Sequence, residues 1–331
     1  NPVIWTGTGA DKAITVGFQS DMTWIKQRNN AVYYNALIDS VRGATKEIYP
    51  NANEAEATES ESLKSFDSNG FTVGSRVGIN TNTGLMASWN WKGGGTAVSN
   101  TDGSITSSVS ANTTAGFSIV GWTGTETTGA TVGHGLSQAP DLIIMKHRTG
   151  SGSASGGWRV GSSISYLDWT QGYFIVLNEA GGRDAATNIW DTVPTASVFE
   201  VNSNASSNGT GGMVAYCIHS LEGYSKVGTY IGNVNANGTF AYLGFRPAMI
   251  LIKGLAYSSD WHIFDNKRIG YNVANYDLTP SETVAEITDA RIDFLSNGFK
   301  IRTNAANINS GDAELLYYAV AEIPFKYGNG R

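Results

Sequence analysis

Cysteine is nearly absent. Cys217 is the only one in 331 residues, so no intrachain disulfide can staple the fold, and a buried thiol is the expectation for it. Proline is scarce, at 7 residues, and charge is thin: Asp, Glu, Lys and Arg make up 15% of the chain against a usual quarter. The formal net charge of −6 argues against a phosphate backbone as partner. No apolar run approaches the ~18 residues of a membrane span, and no signal-peptide pattern opens the chain. The chain starts at Asn1 without Met, as a fragment or processed product does.

The signatures of metal and cofactor chemistry are missing as well. The histidines, His134, His147, His219 and His262, stand at no metal-ligand spacing. There is no G-x-S-x-G elbow and no P-loop lysine. Gly7-Thr8-Gly9-Ala10 has neither the third glycine nor the following helix of a dinucleotide loop. The expectation is a protein with no cofactor, no metal, no nucleic-acid partner and no membrane partner.

Forty glycines and 11% aromatics take the place of what is missing, with many Ser, Thr and Asn. That mixture points to short strands joined by tight turns. It also repeats. Gly244-Phe245 through Met249-Ile250-Leu251-Ile252-Lys253 runs from turn residues into an apolar strand that stops on lysine. Gly17-Phe18 through Met22-Thr23-Trp24-Ile25-Lys26 has the same spacing, and Gly135-Leu136 through Leu142-Ile143-Ile144-Met145-Lys146 is the same with two residues inserted. Each copy opens on an aromatic residue two before a glycine: Trp5, Trp122 and Tyr230.

Further landmarks keep the order. Leu37-Ile38-Asp39 and Ile263-Phe264-Asp265 are followed by Arg42-Gly43 and by Lys267-Arg268-Ile269-Gly270. Phe66-Asp67-Ser68-Asn69-Gly70-Phe71 then matches Phe294-Leu295-Ser296-Asn297-Gly298-Phe299, with Asn-Gly between apolar runs as a hairpin signal. The middle copy keeps only Val198-Phe199-Glu200-Val201 there. All three close on an apolar strand: Leu85 to Trp91, Met213 to Ile218, Leu315 to Val320. Repetition settles the organisation before any fold is named.

The expected fold is therefore all-β: three tandem antiparallel β-sandwich repeats, jelly-roll-like, with a barrel as runner-up. Unit one covers 1–92 and a flexible or extended Gly/Ser/Thr/Asn linker covers 93–116. Unit two, the most divergent, covers 117–222, and unit three 223–331. Unit three follows unit two almost without linker, so those two are expected to pack rigidly while unit one swings. The acidic stretch from Asn51 to Ser65 and its counterpart from Thr279 to Asp293 read as connectors, with a helix start at Pro280-Ser281-Glu282.

Repeated residues point to structure rather than chemistry. Lys26, Lys146, Lys253, Asp39 and Asp265 sit at strand ends in more than one copy and read as ion pairs that fix loops. Function sits where copies differ. The middle unit differs in a Ser/Gly loop tip, Gly150 to Gly157, and in a dense aromatic stretch. Trp158, Tyr166, Trp169, Tyr173 and Trp190 are the candidate binding residues, since aromatics flanked by polar residues suit sugar stacking or a protein contact. Asp168 and Asp184 are the candidate carboxylates for an alternative reading as a polysaccharide-degrading enzyme.

Taken together, Gly17-Phe18 to Lys26, Asp39 to Lys46, Phe66 to Phe71, Val132-Gly133-His134-Gly135-Leu136 and Glu222-Gly223-Tyr224-Ser225-Lys226 resemble a repeat family of large structural proteins of marine bacteriophages, tail-fibre-like in kind. Pro324-Phe325-Lys326-Tyr327 is similar to that family's C-terminal end. The chain departs from the pattern at Ser20, where the family usually has proline, and at Asn90, where cysteine is frequent. The resemblance implies a virion component, localised to the extracellular particle, and supplies no catalytic residue. The expected function is a tail-fibre-like adhesion or receptor-binding component without catalysis. Capsid decoration or a head fibre is the first alternative, and the enzyme is the second. Expected partners are other virion proteins, a host surface glycan or receptor, and further copies of the chain in a homo-trimer.

Overall fold

In a computed structural model of the chain, the described residues are 1–150, 152, 156–268 and 272–323. Half of the Ser/Gly tip from Gly150 to Gly157 lies outside them, and Gly270 and Pro324 to Tyr327 lie outside them altogether. Strands make up 44% of the structure and helix 5%, so the all-β expectation holds. Among the described residues the main sheets are antiparallel and none closes into a barrel.

In the N-terminal region, Pro2–Thr6, Leu85–Trp91, Met22–Gln27 and Ala36–Asp39 lie side by side in that order. Lys12–Thr15, Gly70–Val73 and Leu63–Asp67 form a second sheet. The C-terminal region orders Ser225–Ile231, Glu314–Ala321, Pro247–Gly254 and Trp261–Asp265, with Phe240–Tyr242, Gly298–Ile301, Ile287–Leu295 and Ala274–Asp277 as its second sheet. In the middle region Phe117–Gly124, Gly211–Ile218, Leu142–His147 and Arg159–Ser162 follow one another in a wider sheet, and Ala130–Gly133 pairs with Val198–Val201.

The lysine-ended strands explain themselves through what covers them. Met22–Gln27 and Pro247–Gly254 are buried at every position. Side chains alternate across a strand, and here both faces meet apolar neighbours. Ile25 packs with Ile14, Ile38 and Phe71 inside the N-terminal pair of sheets. Trp24 points the other way, into a cluster that also holds Ile144 and Tyr216 from the middle region and Leu251 and Tyr318 from the C-terminal region. A strand covered on both faces reads as a continuous apolar run rather than an alternation. The chain thus has one apolar cluster inside each region and one shared among all three.

The Asn-Gly hairpins place their phenylalanines as expected. Phe71 and Phe299 are fully buried, opposite Phe66 and Phe294 in register. Each meets the aromatic that opens its region edge-on, Trp5 at 6.1 Å and Tyr230 at 5.7 Å. Phe199 meets Trp122 in the same way at 5.7 Å.

Three expectations fail, each for a physical reason. The 93–116 stretch is not a free linker: Val98–Asn100 and Ser107–Asn112 add two strands beyond Phe117–Gly124. They satisfy backbone groups that an open sheet edge would leave unpaired. No helix starts at Pro280, because the carbonyls of Pro280 and Glu282 accept hydrogen bonds from Asn35 and Lys26 of the N-terminal region. For the same reason the N-terminal region does not swing.

Candidate functional site

The polar residues that recur along the sequence sit where the regions meet. Asp39, at a strand end, accepts Arg42 Nε at 2.5 Å and the amides of Val41 and Arg42, while Arg42 Nη2 donates to Leu37 O. Asp265 repeats this with Arg268 Nε at 2.7 Å, the amides of Lys267 and Arg268, and Arg268 Nη2 on Ile263 O. Each aspartate then receives an aromatic donor from another region. Tyr216 Oη donates to Asp39 Oδ2 at 2.7 Å, and Trp89 Nε1 to Asp265 Oδ2 at 3.0 Å.

The outer side of each arginine is met by a glutamate that reaches across a border. Glu56 contacts Arg42 at 3.1 Å and takes Arg148 Nε and Nη2 at 2.8 Å each. Glu286 contacts Arg268 at 3.0 Å and Arg28 Nη2 at 2.7 Å. Burial works against the Arg42 charge, but Asp39 beside it, with Tyr216 and Glu56, outweighs burial and raises its pKa. Burial works equally against the Glu56 carboxylate, and the hydrogen bonds and charges of Arg148 and Arg42 overcome it and lower its pKa.

The repeated lysines make no ion pair with these aspartates. Their ammonium groups are buried against carbonyl oxygens. Lys26 Nζ donates to Glu282 O at 2.7 Å, Lys253 Nζ to Ala180 O at 3.0 Å and Glu179 O at 3.2 Å, and Lys146 Nζ to Gly156 O. Burial pushes Lys26 down to about 7, and Lys146 and Lys253 down to about 8. Carbonyl dipoles stabilise the cation only partly against that loss of solvent.

The border between the middle and C-terminal regions is built differently. Glu56 N donates to Arg148 O and Glu286 N to Arg28 O, both at 2.7 Å; at the third border Arg183 N donates to Leu255 O, also at 2.7 Å. The backbone bond is kept, but arginine replaces glutamate and leucine replaces arginine. Freed from a clamp, the Arg183 guanidinium lies 4.2 Å from the Tyr166 ring centroid and 4.0 Å from that of Tyr173, with Nη1 donating to Tyr166 O at 3.1 Å.

The five aromatics expected to bind therefore divide. Trp158, Trp169 and Trp190 are buried, at 0%, 3% and 1% exposure, and offer no face to a ligand. Trp158 fastens a border, its Nε1 donating to Tyr49 O at 2.9 Å, as Trp261 Nε1 does to Val176 O. Trp169 and Trp190 meet edge-on at 4.9 Å over Gly161, where a Cβ would lie 2.1 Å from the Trp169 ring. Tyr166 and Tyr173 are half-buried and flank Arg183. Asp168 and Asp184 hold the amides of Thr170 and Ala185.

A cavity of about 1090 Å³ opens where the three regions come together, lined among others by Trp89, Trp91, Met249, Gln138, Glu222 and Glu322. Its indoles are committed to the interior, Trp89 Nε1 on Asp265 and Trp91 Nε1 on Tyr318 Oη at 3.0 Å. Among the described residues no group of His, Cys, Asp and Glu is placed to hold a metal ion. Cys217 is buried and free, with its thiol pushed up by burial.

Arg183 was not visible as a site residue in the sequence. Its signal is positional: it stands where the other regions carry Glu56 and Glu286, but the middle region's divergence hides the alignment until the backbone bond reveals it. A family model described as Domain of unknown function (DUF7483) matches residues 1–324. Neither a curated protein nor a solved structure matches the chain.

Proposed function

The chain belongs to the DUF7483 family, and from that premise we propose that it is a virion structural protein of tail-fibre-like kind, which attaches to the host surface and carries out no catalysis. Three copies of one antiparallel sandwich make up the chain in this proposal. Its support is the common strand order of the N- and C-terminal regions, which four strands of the middle region share.

The observation that carries the structural reading is how the recurring charges are used. Asp39, Arg42 and Glu56, and likewise Asp265, Arg268 and Glu286, are fully engaged with each other and with a neighbouring region. Such groups hold a rigid block together, which suits a particle component exposed to the outside. The bacteriophage assignment rests on the sequence resemblance to tail-fibre-like repeats.

Locating the chain by labelled antibody in images of the intact particle tests the proposal. Label on a tail fibre is the expected result. Label on the capsid lattice would favour a decoration protein, and absence of label from particles would overturn the virion reading. Incubation with host envelope glycans addresses catalysis, with no release of reducing ends expected.

A further inference from the structure

The middle region departs from its neighbours at one exposed cation, and that departure points to a ligand. Among the described residues, every arginine except Arg159 and Arg183 lies within ion-pair distance of a carboxylate. Both exceptions flank the hairpin Tyr173–Phe174 and Asp184–Ala185. Arg159 sits 4.9 Å from Phe174 and Arg183 4.0 Å from Tyr173. Successive residues of a strand face opposite sides, so the two cations occupy opposite faces of the hairpin. Arg159 is the inner one, its Nε buried without a partner and its Nη1 on Trp158 O. Arg183 is the exposed one.

The fold does not need the Arg183 charge. Its amide makes the border contact that Glu56 and Glu286 make elsewhere, and the border closes on Leu255, an uncharged partner. An exposed arginine without a role normally sweeps through many rotamers, at a cost to any ligand that must order it. This one is held. Two tyrosine rings grip the guanidinium plane and one N–H is anchored on Tyr166 O. The remaining N–H groups are left for an acceptor, in the fork geometry that matches a carboxylate. Of the carboxylates beside Arg183 and Tyr166 in the sequence, Asp184 is engaged on the amide of Ala185 and Asp168 on Thr170.

We propose that Tyr166, Tyr173 and Arg183 form a binding site for a carboxylate-bearing sugar, a uronic acid residue of an acidic polysaccharide. Arg183 pairs with the sugar carboxylate, and the tyrosine edges and hydroxyls contact the ring. The inference rests on the host-attachment reading above for its choice of sugar over other carboxylates. The pairing needs an ionised sugar carboxylate beside Arg183, so binding is expected to weaken as pH falls below the uronic acid pKa and, through screening of that pair, as salt rises.

The test is calorimetric titration of the whole chain with oligogalacturonate, and with a neutral glucan oligosaccharide of the same length. Wild type is expected to bind the uronate and not the neutral sugar. Arg183→Gln should weaken uronate binding about tenfold or more, the scale of one lost charge-assisted contact. Arg183→Glu carries the residue type that the other borders already hold, so it should keep the wild-type melting temperature and abolish binding. Undiminished binding by Arg183→Gln would overturn the inference, as would absence of uronate binding by wild type. Equal binding of poly-L-glutamate would overturn the sugar assignment. The attachment reading fails separately, if the protein is missing from particles.

Discussion

Two borders of this molecule share a backbone bond and a buried lysine held by the neighbour's carbonyls, and differ in their carboxylates and arginines. Where the C-terminal region meets the N-terminal one, Glu286 N reaches Arg28 O, and its carboxylate locks Arg28 and Arg268 together. Where the middle region meets the C-terminal one, Arg183 N reaches Leu255 O with no ion pair. Apolar burial, the backbone contact and the hydrogen bonds of Lys253 and Trp261 to carbonyls seat that border without an ion pair. The charge clamp is present at two borders, and at the third the Arg183 side chain makes no ion pair and lies between Tyr166 and Tyr173.

The comparison can be broken most forcefully at the clamped borders. Asp39→Ala and Asp265→Ala each remove the inner carboxylate from a buried arginine and leave only the outer glutamate, and each should cost about 3–5 kcal/mol in urea unfolding. Phe71→Ala and Phe299→Ala test the matched interiors and should cost about 3–5 kcal/mol apiece. A large loss in one and none in the other would undo the equivalence of the two hairpins.

Titration reads the buried lysines that the borders have in common. The Lys26 amine, held at about 7 in the fold, returns to its ordinary 10.5 on unfolding. Between those values the unfolded chain binds the extra proton, so this group makes stability rise with pH across that window. The rise from pH 7 to pH 9 should be shallower in Lys26→Met than in wild type, as read by thermal melts. A smaller effect comes from rebuilding the missing clamp. Arg183→Glu with Leu255→Arg should show a favourable coupling of about 0.5–1 kcal/mol in a double-mutant cycle.

Local chemistry made part of this legible from the sequence. The lysine-ended strands, the Asn-Gly hairpins and the burial of Phe71 and Phe299 follow from residue period and turn preference over a few residues. The fate of the tryptophans does not. Trp158 looks the same in sequence whether it meets a sugar or Tyr49 O, and only a contact across 109 residues decides. The 93–116 stretch has too little apolar periodicity to announce strands, yet an open sheet edge recruits it. Arg42 and Arg268 were visible only as basic residues, because their partners Glu56 and Glu286 lie in connectors that carry no motif. Ser20 and Asn90, the two departures from the resembled pattern, prove to be neighbours, with Ser20 Oγ 3.5 Å from Asn90 Oδ1.

The central claim is that the recurring charges fasten regions together while the departing one is free. Urea unfolding of Glu286→Gln beside Arg183→Gln tests it most directly. Glu286→Gln should lose roughly 1.5–3 kcal/mol, since it weakens hydrogen bonds to two arginines. Arg183→Gln should stay within about 0.5 kcal/mol of wild type. Equal losses in the two variants would contradict the account.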